Sequence, residues 1–161
     1  YIGDWRSDVC SSDLTATDGS LKVTTTLLTN QFGTLGSSTG KFYYEFIPTS
    51  SNGTWIGVMD LTTTVGIDLY RSDGTRYTGG GYVAYGATYT TGDVIGCAFD
   101  ITNSTIEYYK NGVSQGQITG IVYVGIIGPI LLGANNSGYI VNFGQQPFVY
   151  TPPSGFVALN T

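Results

Sequence analysis

Residues Gly92–Gly112 read GDVIGCAFDITNSTIEYYKNG, and this stretch decides the fold. Val94–Phe99 and Thr105–Lys110 each alternate their side chains between two faces, the period-two signature of a β-strand. Ile95, Cys97 and Phe99 share one face of the first. Ile106 and Tyr108 share one face of the second, with Glu107 pointing the other way. Asn111-Gly112 suits positive φ at both central turn positions, which predicts a type I′ hairpin into a third strand over Val113–Thr119.

The same alternation extends outward. Further strands are expected over Leu21–Thr26, Lys41–Ile47, Thr54–Met59, Val65–Tyr70, Tyr82–Tyr85, Ile126–Leu132 and Tyr139–Phe143, separated by Gly, Asn, Asp and Ser clusters. No long segment has the i, i+3, i+4 spacing of a surface helix. Pro147, Pro152 and Pro153 mark an extended C-terminal stretch without ladder donors at those positions. The reading is one all-β domain, an antiparallel two-sheet sandwich, with Phe42, Tyr44, Ile95, Cys97, Phe99, Ile106 and Tyr108 between the sheets.

Composition narrows the function. The 161 residues carry a net charge of −5, and the six basic residues are scattered. Nucleic-acid binding needs a basic patch against phosphates, so it is excluded as a reading. Gly120–Ala134 is apolar but too short and too broken by Gly and Pro129 to span a bilayer as a helix, and no membrane insertion is expected.

The chain has no His, which removes the common nucleophilic triads and the commonest metal ligand. Cys97 sits in a core strand, where a thiol is a small hydrophobe. The glutamates, Glu45 and Glu107, form no carboxylate cluster of the kind glycosidases need. Asp60, Asp68 and Asp73 lie near one another in sequence and read as turn and strand-end chemistry, with a calcium site as the alternative. No enzyme activity, cofactor or metal is expected. Of the 13 tyrosines, Tyr43, Tyr70, Tyr77, Tyr82, Tyr85 and Tyr89 exceed what two small sheets need for a core, and tyrosine suits a binding surface.

Five blocks in order carry a family resemblance: Gly40-Lys41-Phe42-Tyr43-Tyr44-Glu45-Phe46, Trp55-Ile56-Gly57-Val58, Asp73-Gly74 through Tyr77, Gly92-Asp93 through Gly112, and Asn142-Phe143-Gly144 with Pro147-Phe148. Together they resemble the SPRY domain over roughly Leu21 to Asn160. The resemblance implies a concanavalin A-like jelly-roll sandwich that binds protein or peptide epitopes through loops at one edge and is not an enzyme. The corresponding loops hold Leu61, Thr62, Thr63 and Thr64 after the Ile-Gly-Val strand, and Ala134, Asn135, Asn136 and Ser137 before the closing strand. The resemblance brings these two loops together. With Tyr70 and Arg71 they make up the expected ligand-binding set. The departures are the absence of aromatic anchors in either loop and Gly66-Ile67-Asp68 where many members have Gly-Trp-Asp. The Gly/Thr/Asn-rich style is closer to microbial or phage members. That placement implies a module of a larger structural or surface protein, virion-associated or at the cell surface. A lectin-like carbohydrate binder of the same architecture is the alternative.

Residues Tyr1–Leu14 stand apart. Asp8-Val9-Cys10-Ser11-Ser12-Asp13-Leu14 resembles a translated sequencing-library adapter, and the segment shows no strand pattern. It is read as non-native and dispensable, which leaves residues 15–161 as the domain.

Overall fold

The computed structural model describes residues 5–7, 12–17, 20–25, 29–33, 35–50, 53–134 and 136–159. Among them there are strands and turns and no helix. In chain order the strands are β1 (Trp5–Ser7), β2 (Ser12–Thr17), β3 (Ser20–Thr25), β4 (Thr29–Gly33), β5 (Lys41–Pro48), β6 (Thr54–Asp60), β7 (Val65–Arg71) and β8 (Thr75–Tyr77). They continue with β9 (Tyr82–Ala84), β10 (Ile95–Asp100), β11 (Thr105–Lys110), β12 (Val113–Thr119), β13 (Ile127–Gly133), β14 (Ser137–Asn142) and β15 (Val157–Ala158). One sheet runs β1-β4-β13-β6-β7-β8-β9. The other runs β12-β11-β10-β5-β14-β3-β2, with β15 added parallel to β5. All other pairings are antiparallel, so the fold is the expected jelly-roll sandwich.

The deciding stretch folds as read. Cys97 stands opposite Tyr108 on one side and Tyr44 on the other, and Phe99 opposite Ile106 and Phe42. Asn111 and Gly112 turn the chain with φ of 50° and 78°. Ile95, Cys97, Phe99, Ile106, Tyr108 and Tyr44 are buried between the sheets together with Ile56, Val58 and Leu131. Each such aliphatic or aromatic side chain contributes roughly 1.5–3 kcal/mol of burial. Phe42 departs from the expectation in degree: at the second residue of β5 it is half-buried and packs against this cluster, its ring 5.6 Å from that of Phe99.

The N-terminal segment contributes strands. Trp5–Ser7 pairs with β4 and Ser12–Thr17 pairs with β3, so strands exist in the adapter-like segment and a boundary at Leu14 falls inside β2. Cys10 lies outside the described residues.

Charged groups that enter the interior are paired. Asp68, on β7, is 1% exposed. It takes the Arg76 guanidinium, and the Tyr108 hydroxyl donates to its Oδ1 at 3.0 Å across the sandwich. Burial pushes its carboxyl up to about 6, against partial opposition from Arg76 and Tyr108. Glu45 on β5 is also buried, and its carboxylate accepts the main-chain N–H of Val149 and Tyr150 at 2.8 and 2.9 Å and the Tyr43 hydroxyl at 3.2 Å. It anchors the C-terminal segment to the outer face of its sheet.

Candidate functional site

Strand β6 is buried along its whole length, at both parities. Ile56 and Val58 face the other sheet. Trp55 and Met59 face outward, where they join Leu69 of β7 and Ile130 of β13 in a second apolar cluster. A period-two strand with apolar residues at both parities has an apolar surface on each side. Here the outer side is a groove of about 370 Å³, floored by Trp55, Leu69, Ile130 and Leu132 and walled by Tyr77 and Tyr82.

Gly57 sits between Trp55 and Met59, and a Cβ there would lie 1.9 Å from the Asp68 carbonyl oxygen. The missing side chain lets β6 and β7 close together just where their register shifts, between Val58 and Met59. The Tyr44 hydroxyl fixes this point from inside by donating to the Gly57 carbonyl at 2.5 Å.

Arg71 ends β7 directly opposite Trp55. Its guanidinium stacks 4.8 Å from the Trp55 ring and 5.5 Å from the Tyr82 ring, and its Nη1 lies 3.2 Å from Asp73 Oδ2. Burial pushes the Asp73 carboxyl up, but the Thr75 hydroxyl and N–H, with Arg71, outweigh it and hold it below the usual carboxylate range. Tyr82, on the edge strand, is 55% exposed and contacts the Tyr77 ring at 5.5 Å. The result is an apolar floor beside a rigid stack of Trp, Arg and Tyr, with one cationic group presented in a plane. Such a surface suits a peptide or protein partner through aromatic area and planar guanidinium hydrogen bonding. Among the described residues that line it there is no carboxylate pair.

The sequence-derived site set is dispersed by this geometry. Tyr70 is fully buried, packs on Tyr89, Tyr85 and Tyr108, and donates its hydroxyl to the Ala87 carbonyl. That is a correction with a simple cause: parity turns Tyr70 inward while its neighbour Arg71 faces the groove. Leu61, Thr62, Thr63 and Thr64 do not meet Ala134, Asn136 or Ser137. Leu61 N–H bonds to the Ile126 carbonyl and Ala134 N–H to the Gly53 carbonyl, at opposite ends of the paired strands β6 and β13. At about 3.3 Å per residue the two loops stand roughly 20 Å apart.

Leu61 and Ala134 instead border the two ends of the same outer cluster. Thr62, Thr63 and Thr64 are exposed in a turn capped by Asp60, whose carboxylate accepts Thr62 N–H at 2.8 Å and the Thr63 hydroxyl at 3.0 Å. Asn136 is exposed at φ 59°, Ser137 is buried with its hydroxyl on the Gly53 carbonyl at 3.3 Å, and Asn135 lies outside the described residues. Among the other tyrosines, Tyr43 and Tyr89 are core residues and Tyr85 is half-buried. Only Tyr77 and Tyr82 of that group reach the groove. Trp55 and Leu132 were not in the expected set. Their signal was outward parity next to inward Ile56 and Leu131.

Comparisons with known proteins agree with this architecture. A profile of the SPRY domain matches residues 41–146. Ran-binding protein 10 of Danio rerio is 46% identical over 68 residues, covering 41% of this chain and 11% of that protein. The E3 ubiquitin-protein ligase RKP of Arabidopsis thaliana is 34% identical over 134 residues, covering 74% of this chain and 10% of that protein. The chain thus spans about a tenth of the length of these curated relatives. The crystal structure of the SPRY domain of human HERC1 superposes with a TM-score of 0.66 at 21% identity, over 81% of this chain and 95% of that one.

Proposed function

The chain belongs to the SPRY family, whose domains are protein-interaction modules, and on that premise we propose that it is a non-catalytic, peptide-binding module of a larger protein that docks its partner in the groove on the outer face of the β6–β7–β13 sheet. The observation that carries this reading is the Arg71 guanidinium held between Trp55 and Tyr82 above an apolar floor. Trp, Tyr and Arg are the residue types that dominate binding energy at protein interfaces. The named relatives come from Danio rerio, Arabidopsis thaliana and human, so the placement in a phage or microbial structural protein gains no support from them.

The test is selection from a displayed random-peptide library on residues 15–161 and on the full chain, with a glycan array run in parallel. Tyr82→Ala and Arg71→Ala should each weaken a selected peptide about 10- to 100-fold, since hot-spot truncations cost about 2 kcal/mol or more, without lowering the thermal midpoint. Selected peptides indifferent to both substitutions would place docking elsewhere. Binding to glycans alone would favour the lectin-like alternative.

A further inference from the structure

The turn between β11 and β12 carries a chemistry of its own. Asn111 is followed by Gly112, and both are exposed. A glycine has no side chain to shield its main-chain nitrogen, so that nitrogen can be approached closely. It can attack Cγ of the Asn111 carboxamide. The N–Cγ bond forms, the Cγ–Nδ2 bond breaks, and ammonia leaves with the proton shed by the Gly112 nitrogen. Water then opens the five-membered succinimide. Opening at Cγ gives Asp. Opening at the main-chain carbonyl carbon gives isoaspartate, which adds one carbon to the main chain. The balance is one water consumed and one ammonia released, with no oxidant or cofactor.

The fold withholds the carboxamide from this reaction. Its Oδ1 accepts the Val94 N–H at 2.8 Å and its Nδ2 donates to Asp93 Oδ1 at 2.8 Å, so both ends of the amide are tied to residues 93 and 94. The Asn111 N–H donates to the Val94 carbonyl at 2.8 Å. The next residue is pinned as well. Gly112 sits at φ 78°, and a Cβ there would lie 2.5 Å from Tyr150 Cδ1. Bringing Cγ onto the Gly112 nitrogen breaks both side-chain bonds or turns the main chain out of the type I′ geometry. The rate is therefore set by opening of the turn rather than by exposure.

The product fits this turn poorly. Burial raises the Asp93 carboxyl, but bonds from Thr90, Asn111 and Lys110 outweigh it and hold the group below the usual carboxylate range, so it is ionised. An Asp at 111 puts a carboxylate where Nδ2 now donates, and like charges in contact repel. Isoaspartate lengthens a two-residue loop between the paired residues Lys110 and Val113, and loop length sets the register of a hairpin.

We propose that Asn111 is a latent deamidation site, closed by the folded turn and opened by unfolding, so that a chain once unfolded is chemically marked and loses the turn that specifies its β10–β11–β12 meander.

The test incubates the full chain at pH 8 with and without denaturant. Trypsin then cuts at Lys41, Arg71 and Lys110, which separates Asn111-Gly112 from the other Asn-Gly pair, Asn52-Gly53. Fragment sequencing by mass spectrometry reads the acid formed at position 111. Its rate in denaturant should exceed the native rate about tenfold or more, because reaction from the native chain is limited to its open fraction. Asp93→Ala removes one anchor of the carboxamide, so it should speed the native reaction and leave the denatured rate unchanged. Asn111→Asp should lower the thermal midpoint. Adding Asp93→Asn should recover most of that loss, since the substituted amide offers its oxygen to the Thr90 N–H, which Asp93 Oδ2 accepts at 2.9 Å, and its nitrogen to the new carboxylate. Equal rates in folded and denatured chains, a faster rate in the folded one, or an Asp93→Ala native rate equal to the parent's would overturn the closed turn. An Asn111→Asp midpoint equal to the parent's would overturn the loss of the turn.

Discussion

Replacing Tyr108 and Tyr139, one at a time, by Phe removes the same oxygen atom from two equally buried rings, yet the two outcomes should differ. The Tyr108 hydroxyl bridges the sheets, 3.0 Å from Asp68 Oδ1 and 3.1 Å from the Asp68 carbonyl. The Tyr139 hydroxyl is buried with no partner among the described residues. A hydrogen bond to a charged group is worth about 1.5–3 kcal/mol, and a neutral one about 0.5–1.5. For a domain of this size each kcal/mol moves the midpoint by about 2–4 °C. Tyr108→Phe should therefore lower it by roughly 3–12 °C at pH 8, where Asp68 is ionised.

At pH 5, where Asp68 is protonated, the loss should be smaller. The sign follows from the carboxyl itself. It titrates at about 6 in the folded chain against an ordinary value of 3.8. Between those values the folded state holds a proton that the unfolded chain has released. Its contribution to stability is therefore fully present at low pH, falls as pH rises towards about 6, and levels off above. Removing the Tyr108 donor raises the folded value further, so the gap between variant and parent should widen as pH passes through 6 and above. Tyr139→Phe should leave the midpoint unchanged or raise it at both pH values. Differential scanning calorimetry of the three proteins at pH 5 and pH 8 reads all of this. A gap for Tyr108→Phe as large at pH 5 as at pH 8, or an equal loss for Tyr139→Phe, would refute the reasoning.

Gly57→Ala should lower the midpoint by several degrees, since its Cβ would meet main-chain atoms of Asp68 and Leu69 that no rotamer can move, and overpacking costs about 1–3 kcal/mol; chemical denaturation checks it. Cys97 is buried, and burial pushes its thiol well above the ordinary range, so a Cys10→Ser variant should resist a thiol-specific reagent at pH 8 while native and release one equivalent in denaturant. Deleting residues 1–14 removes the β1–β4 pairing and the pairing of Ser12, Asp13 and Leu14 with β3, so the midpoint should fall by a few degrees; an unchanged midpoint would uphold the sequence expectation that this segment is dispensable.

The β10–β11–β12 meander was legible because each decision in it is local: alternation sets the faces, and Asn111-Gly112 sets the turn. The arrangement of the site was not. Whether residues 61–64 meet residues 134–137 depends on β6 pairing with β13, strands about seventy residues apart, and no local pattern encodes that pairing. Tyr70 was misplaced for a related reason. Its face is set by its place opposite inward Ile56 on β6, a tertiary pairing that the residues of β7 alone do not state. The adapter-like strands escaped notice because β1 has three residues and takes its partner from the fold rather than from its own alternation. Trp55 could have been found by asking why an aromatic should stand at the outward parity of a strand.

On β6 and β13, neighbouring residues answer to different demands. Ile56, Val58 and Leu131 face the interior, whereas Trp55, Met59, Ile130 and Leu132 face the groove. A lineage can therefore rewrite every second position for a new partner while the intervening ones keep the sandwich intact. The same separation would serve a randomised library built on this scaffold. Gly57 on β6 and Gly128 on β13 are closed to that drift, because main-chain atoms of Asp68 and of Leu35 occupy the space a side chain would need. Heritable change of specificity and conservation of shape are thus divided by a single peptide unit along one strand.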